Sequence, residues 1–226
     1  MLILAFNTTL SKCSAAIYHD GRVISHEAQD GNIGHSEVIM PMIDNIMQKS
    51  QIEFSDFDLF ATATGPGSYT GIRVCIALAR AFKLALKKPA VGLNTLQIIA
   101  QGARRRKKSN YDILVVNEAM YEEIYLQMFS EIIEPKNNLQ RCKVEKIIKL
   151  MPKKKIILTG TASLKIYNLI RNKNDIILDI LEPNKASELP DAVDLAYLAY
   201  EVYLNSKDML INFEPKPLYM YQPYER

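Results

Sequence analysis

Thr62–Val74, TATGPGSYTGIRV, is the stretch on which the fold turns. An apolar strand, FDLFATATG (57–65), runs into a glycine-rich loop and out into TGIRVCIALARAFKLALK (70–87), whose apolar residues recur at helical spacing. Strand, glycine loop and helix in that order are the first part of a βα crossover. They predict a second parallel strand, which PAVGL (89–93) supplies, followed by a helix over NTLQIIAQGA (94–103) capped by Asn94 or Thr95.

Upstream, Leu2–Phe6, Cys13–Tyr18 and Arg22–Ala28 are short apolar runs, and HDG (19–21) between the last two is a tight-turn signal. They read as antiparallel strands joined by hairpins. HSEVIMPMIDNIMQKS (35–50) then places Val38, Ile39, Met42, Ile43 and Ile46 on one helical face, with Pro41 predicting a kink or a break.

After the basic run RRRKK (104–108) the same order returns. YDILVVN (111–117) and EEIYLQMF (122–129) read as strands, with a weaker third near IIEPKNNLQRC (132–142). Helix KVEKIIKLMP (143–152), strand KKIILTG (154–160), helix ASLKIYNLIRN (162–172), strand DIILDI (175–180) and a long amphipathic helix LPDAVDLAYLAYEVYL (189–204) follow. Hairpins followed by βα units, twice over, describe an α/β protein of two tandem RNase H-like domains. Each has a mixed sheet with flanking helices, as in the actin, Hsp70 and sugar-kinase ATPase superfamily. The halves divide at 1–103 and 104–226.

Composition narrows the function. Hydrophobic residues make up 48% of the 226 and charged residues 23%, so a core forms without disulfide or metal staples. A net charge of +3, from 28 basic and 25 acidic residues, does not favour nucleic acid over the whole surface, so any such contact is local. Cys13, Cys75 and Cys142 are odd in number and far apart, which argues against a disulfide framework or zinc site and for a reducing cytoplasm. The N-terminal MLILAF is too short for a signal-peptide core and reads as a buried strand, and no apolar run is long enough to span a bilayer.

The loop fails the usual nucleotide signatures. Gly65 and Gly71 enclose five residues and are followed by Ile72 where a Walker loop needs lysine; Gly67 and Gly71 are separated by three residues, not the two of a dinucleotide fingerprint. A nucleophile elbow around Ser68 would need glycine at Pro66. Two readings stay open. Gly65, Gly67, Ser68, Thr70 and Gly71 could hold an anion or nucleotide against the helix N-terminus, Ser68 or Thr70 serving as cap. The glycines could equally serve only a sharp turn and close packing.

The helix beyond the loop carries Arg73, Arg80, Lys83 and Lys87 on one narrow face, while Ile72, Val74, Ile76, Leu78, Phe82, Leu84 and Leu86 cover most of the rest. Packing on one sheet needs a single apolar stripe. The surplus, with Met40 and Met47 off the stripe of the preceding helix, points either to a protein partner or to burial on two sides within the chain.

HSE opening one helix and GPGSYTGIR the next, in that order and at that separation, resemble the TsaB (YeaZ) family, the dimerisation subunit of the bacterial tRNA threonylcarbamoyladenosine machinery. LILAFNTT…CSAAIYHDGRV, VGLNTLQIIA and PLYMY near the end are similar to further family segments. The resemblance implies a scaffold of the actin-like superfamily without catalytic residues of its own. It pairs with the larger paralogue TsaD, with a TsaE-type ATPase joining and tRNA engaged indirectly. For the chain alone, a homodimer through the same helices and a monomer both stay open. It implies no intrinsic cofactor and no metal, with ATP and magnesium entering only in the assembled complex. The family's dimer surface maps onto the helices begun by His35 and by Ser68, that is, onto His35, Ser36, Met40, Ile43, Met47, Tyr69, Arg73, Ile76 and Arg80.

Departures from the family pattern bear on chemistry. Asn7 stands where many relatives carry aspartate, removing a carboxylate that would help to hold hydrated magnesium. Glu118, Met120 and Glu122 replace the aspartate, arginine and glycine of a "DAR…GEVY"-like stretch. His19, His26 and His35 offer no pair four apart for a metal. The basic run Arg104–Lys108 reads as a solvated helix end or a tRNA-backbone contact. A stand-alone kinase or ATPase, or a peptidase-like protein, are the alternatives; the first needs a productive nucleotide loop, the second a nucleophile and base that the spacing does not supply.

Overall fold

The computed structural model describes residues 1–31, 34–150, 155–170, 178–180, 188–206 and 213–220. Its contacts divide into two units, Met1–Ile98 with Pro190–Arg226, and Ile99–Leu189.

The first unit is built on β1 (Leu2–Asn7), β2 (Lys12–His19), β3 (Arg22–Asp30), β4 (Leu59–Ala63) and β5 (Ala90–Leu93), in the sheet order β3-β2-β1-β4-β5. The β1–β2 and β2–β3 pairs are antiparallel hairpins, and β1–β4 and β4–β5 are parallel. Asp20 and Gly21 both take positive φ in the turn that HDG signalled. β1, β2 and β4 are buried on both faces, which is why they read as continuous apolar runs rather than alternating ones. On one face Leu4, Phe6, Ala15, Ile17 and Phe60 form a core with α1 (His35–Ser50) and α2 (Tyr69–Leu86). On the other, Tyr18 packs edge-on against Tyr197 and tilted against Tyr200 of the last helix. α1 runs unbroken through an exposed Pro41, without the expected break. α3 (Thr95–Arg106) leads the chain from the first unit into the second.

The second unit repeats the plan. β6 (Asp112–Glu118), β7 (Glu123–Phe129), β8 (Gln140–Lys143), β9 (Ile156–Thr159) and β10 (Leu178–Ile180) lie in the order β8-β7-β6-β9-β10, again two antiparallel and two parallel pairs. α4 (Val144–Leu150) follows β8, and α5 (Ser163–Ile170) follows β9. Leu114, Val116, Leu126, Ile147, Leu158 and Ile166 centre its core. Parts of the expected elements at 151–154, 171–172 and 175–177 lie outside the described residues.

One expectation is corrected. The long final helix, α6 (Ala192–Ser206), belongs to the first unit and not to a half running 104–226. Its Ala192, Leu195, Ala196 and Ala199 are buried, and it packs on β1 and β2. Periodicity reveals that a helix has an apolar face but not which sheet that face will cover.

Candidate functional site

The glycine loop is shaped by the turn between β1 and β2. A Cβ at Gly71 would overlap the Thr8 carbonyl oxygen and lie 2.9 Å from its carbon, and one at Gly67 would overlap the Thr9 carbonyl. Both glycines therefore serve backbone-to-backbone approach. Gly65 has φ +108°, open to glycine at little strain. The polar groups here answer one another. Ser68 N–H donates to Thr9 O (2.7 Å), Gly71 N–H to Ser68 Oγ (3.2 Å) as the helix cap, and Thr8 Oγ1 to Gly71 O (2.7 Å). Thr70 is exposed.

Asn7 is buried, and its whole amide is used. Oδ1 accepts from Thr9 N–H (3.1 Å) and Thr9 Oγ1 (2.7 Å), while Nδ2 donates to Lys12 O (3.2 Å) and Pro190 O (3.1 Å). Beside it the buried Lys12 ammonium pairs with Asp191, which also accepts from His26 Nε2 at 3.0 Å. Asp191 Oδ1 caps α6 through Val193 N–H (2.9 Å). Burial pushes the Asp191 carboxyl up, but the His26 and Lys12 contacts overcome it and hold it well below the usual carboxylate range. Cys75 is fully buried against Thr8, and burial raises its thiol pKa, so it is inert as a nucleophile.

α2 has two different flanks. On one, Arg73 Nε donates to Tyr219 Oη (3.0 Å), Arg80 donates through Nε (3.1 Å) and Nη2 (2.8 Å) to Pro215 O, and Lys83 meets Glu214 (3.0 Å). These contacts, with Leu218 N–H donating to Thr64 O (2.9 Å), lay residues 213–220 along the helix as a strap. The other flank carries half-buried Val74, Leu78 and Phe82 beside α1, with exposed Ala77, Ala81 and Ala85 outside them.

The residues expected at a partner surface separate accordingly. Ile43 and Met47 turn inward into the core under the sheet, at 0% and 8% exposure, and Ile76 is buried at 5% on the strap side of α2; all three present almost no surface. Met40 is half-buried, and Ser36, Tyr69, Arg73 and Arg80 are exposed, the last three on the strap flank. His35 is the first residue of α1, and its side chain lies outside the described residues. The alanines at i, i+4 and i+8 escaped the hydrophobic count, although that spacing was their signal.

Elsewhere the basic run is partly turned inward: Arg104 donates to Ser109 Oγ (3.3 Å) and Tyr111 O (2.5 Å). In the second unit, Tyr121 and Glu122 take positive φ at the β6–β7 turn, exposing Met120 and Tyr121. Asn117 Nδ2 and Thr159 Oγ1, on neighbouring strands, are buried without hydrogen-bond partners among the described residues. An orphaned hydroxyl costs about 1–3 kcal/mol, so Thr159→Val, which keeps the shape, is expected to raise stability by about 1 kcal/mol in urea denaturation; a loss of that size would reveal a partner for the hydroxyl.

The family model described as TsaD, tRNA N6-adenosine threonylcarbamoyltransferase, matches residues 26–223. The tRNA threonylcarbamoyladenosine biosynthesis protein TsaB of Buchnera aphidicola subsp. Schizaphis graminum (strain Sg) is 31% identical over 220 residues, 94% of this chain and 98% of that protein. The chain belongs to the TsaB family. Among solved structures, YeaZ from Pseudomonas aeruginosa superimposes on this TsaB-family fold with a TM-score of 0.80 at 22% identity, over 97% of this chain and 99% of that one. The Lmo2764 protein of Listeria monocytogenes, a putative N-acetylmannosamine kinase, does so at 0.54 and 11% identity, over 89% and 100% respectively. The actin-like and sugar-kinase architecture expected from the doubled hairpin and βα order is thus the one present. Among the described residues no helix is long and apolar enough to cross a membrane.

Proposed function

We propose that this chain is a non-catalytic scaffold in the cytoplasmic formation of threonylcarbamoyladenosine in tRNA, acting by pairing with a TsaD-type threonylcarbamoyltransferase through α1 and α2. The observation that carries this is the second apolar flank of α2. Val74 and Leu78 stay half-exposed after the helix has packed on its sheet, and Ala77, Ala81 and Ala85 beside them let another helix approach closely. Val38 and Met40 of α1 extend the same surface, with the exposed Ser36 at its edge. A TsaE-type ATPase joins the pair, and the free chain dimerises through the same flank.

Three features support a silent first unit. The space that a phosphate loop keeps open toward β1–β2 is filled by Thr8 and Thr9 carbonyls, Asn7 supplies no carboxylate and spends its amide on the fold, and Lys12 is neutralised by Asp191. These residues do not fit a magnesium nucleotide, and nucleotide enters through the partners.

Ala81→Glu places a charge on the flank without touching the core. It is expected to weaken binding of the purified paralogue by about thirtyfold, or about 2 kcal/mol, in calorimetric titration with the melting temperature unchanged. Binding within a factor of two of the unaltered chain would remove this flank from the interface.

A further inference from the structure

The opposite flank of α2 is not used by that pairing surface. Arg73, Arg80 and Lys83 fall within about 80° of arc on the helix, Tyr69 shares it and Lys87 follows at the C-cap, making a row roughly 27 Å long. The strap binds this row mostly through neutral acceptors. Arg80 is held by the Pro215 carbonyl and Arg73 by the Tyr219 hydroxyl, so both guanidinium groups are fixed in direction yet keep their charge. Among the described residues of the strap only Glu214 brings a carboxylate, shared between Lys83 at 3.0 Å and Lys216 at 3.8 Å, and Lys216, 71% exposed, adds another cation. Among the described residues, a chain with a net charge of +3 has therefore gathered five cations and one carboxylate along one edge.

The end of the row is aromatic. Tyr69 and Tyr219, 56% and 39% exposed, stack with ring centres 5.4 Å apart and planes 27° from parallel, and the Arg73 guanidinium lies 3.9 Å from the Tyr69 ring centre. Ordered cations alone would suit any polyanion. A rigid, solvent-facing aromatic pair continuous with them favours one that also has bases to stack.

We propose that the strap-bound flank of α2 is a contact surface for RNA, in which Arg73, Arg80, Lys83, Lys87 and Lys216 face the phosphate backbone and the Tyr69–Tyr219 pair receives an unpaired base. The inference rests on the tRNA-modification reading above for its choice of RNA. It adds to that reading a direct contact by this subunit, on the side of α2 that a helical partner leaves open.

The test is fluorescence anisotropy with a labelled in vitro transcribed tRNA, titrated over a salt series with the full-length chain and with its complex with the paralogue. Lys87→Glu combined with Lys216→Glu leaves the strap's arginine contacts in place. It is expected to lower tRNA affinity about tenfold and to flatten the slope of log K against log salt by roughly 1.5, as two lost phosphate contacts require. Tyr69→Ala is expected to lower affinity about fivefold with the slope unchanged, as loss of stacking requires. Unaltered affinity and slope in these variants, no tRNA binding by the complex at low salt, or loss of the paralogue instead of tRNA would each overturn the proposal, the last marking the flank as a protein contact. Paralogue binding that fails while tRNA binding shows both dependences would sink the scaffold reading and leave this one standing.

Discussion

Replacing Asp191 by alanine is expected to lower the unfolding free energy by about 3–5 kcal/mol, because it strands the buried Lys12 ammonium without its counter-charge. Part of the loss is the cap on α6, since Asp191 Oδ1 holds Val193 N–H. Asp191→Asn separates the two: asparagine is also a good cap, so what remains of the loss is electrostatic. The effect has a pH signature. The folded carboxyl titrates below its unfolded value, so the unfolded chain binds the extra proton first. Its stabilisation is complete above the unfolded carboxyl pKa of about 4 and is lost as pH falls below that toward the depressed folded value. Urea denaturation at a series of pH values should show a shallower acid limb in Asp191→Asn than in the unaltered chain. Parallel limbs, with a loss under about 1 kcal/mol at neutral pH, would mean that the Lys12 pair contributes little.

Gly71→Ala is expected to cost about 3 kcal/mol or more, although alanine is the better helix former by about 1 kcal/mol. The added Cβ would meet the Thr8 carbonyl, which is backbone, so the start of α2 or the β1–β2 turn has to move. Either movement strains the 2.7 Å bond from Thr8 Oγ1 to Gly71 O. The sign of the change distinguishes the two readings that the loop's sequence left open. A glycine kept for an incoming anion would tolerate alanine in the absence of ligand or gain stability from it. Thermal melting of the variant decides this, and an unchanged or raised midpoint would contradict the packing account.

The doubled topology was legible in the sequence because each half spells hairpin and βα signals locally: HDG as a turn, TGPG between strand and helix, the apolar runs of β1 and β4. What could not be read was allegiance. α6 shows an apolar face in its sequence, yet only the folded chain reveals that Tyr197 and Tyr200 meet Tyr18 on the first sheet. The same limit applied within α1 and α2. The apolar surplus of the two helices is visible in the sequence, but Ile43 and Met47 belong to the stripe the sheet buries and Ile76 is buried as well, while the outward flank is made partly of alanines that carry little hydrophobic signal. Arg73 and Arg80 were expected at a partner surface, but their hydrogen-bond acceptors lie 146 and 135 residues away in the strap, beyond the reach of any local pattern.

The scaffold account is tested most directly by threonylcarbamoyl transfer to tRNA by the organism's own TsaD-type paralogue, measured with and without this chain, alongside ATP turnover by this chain alone. The account predicts transfer only when both proteins are present, its loss with Ala81→Glu, and no turnover by the isolated chain. Turnover by the isolated chain, with transfer by the paralogue unaffected by its presence, would contradict it.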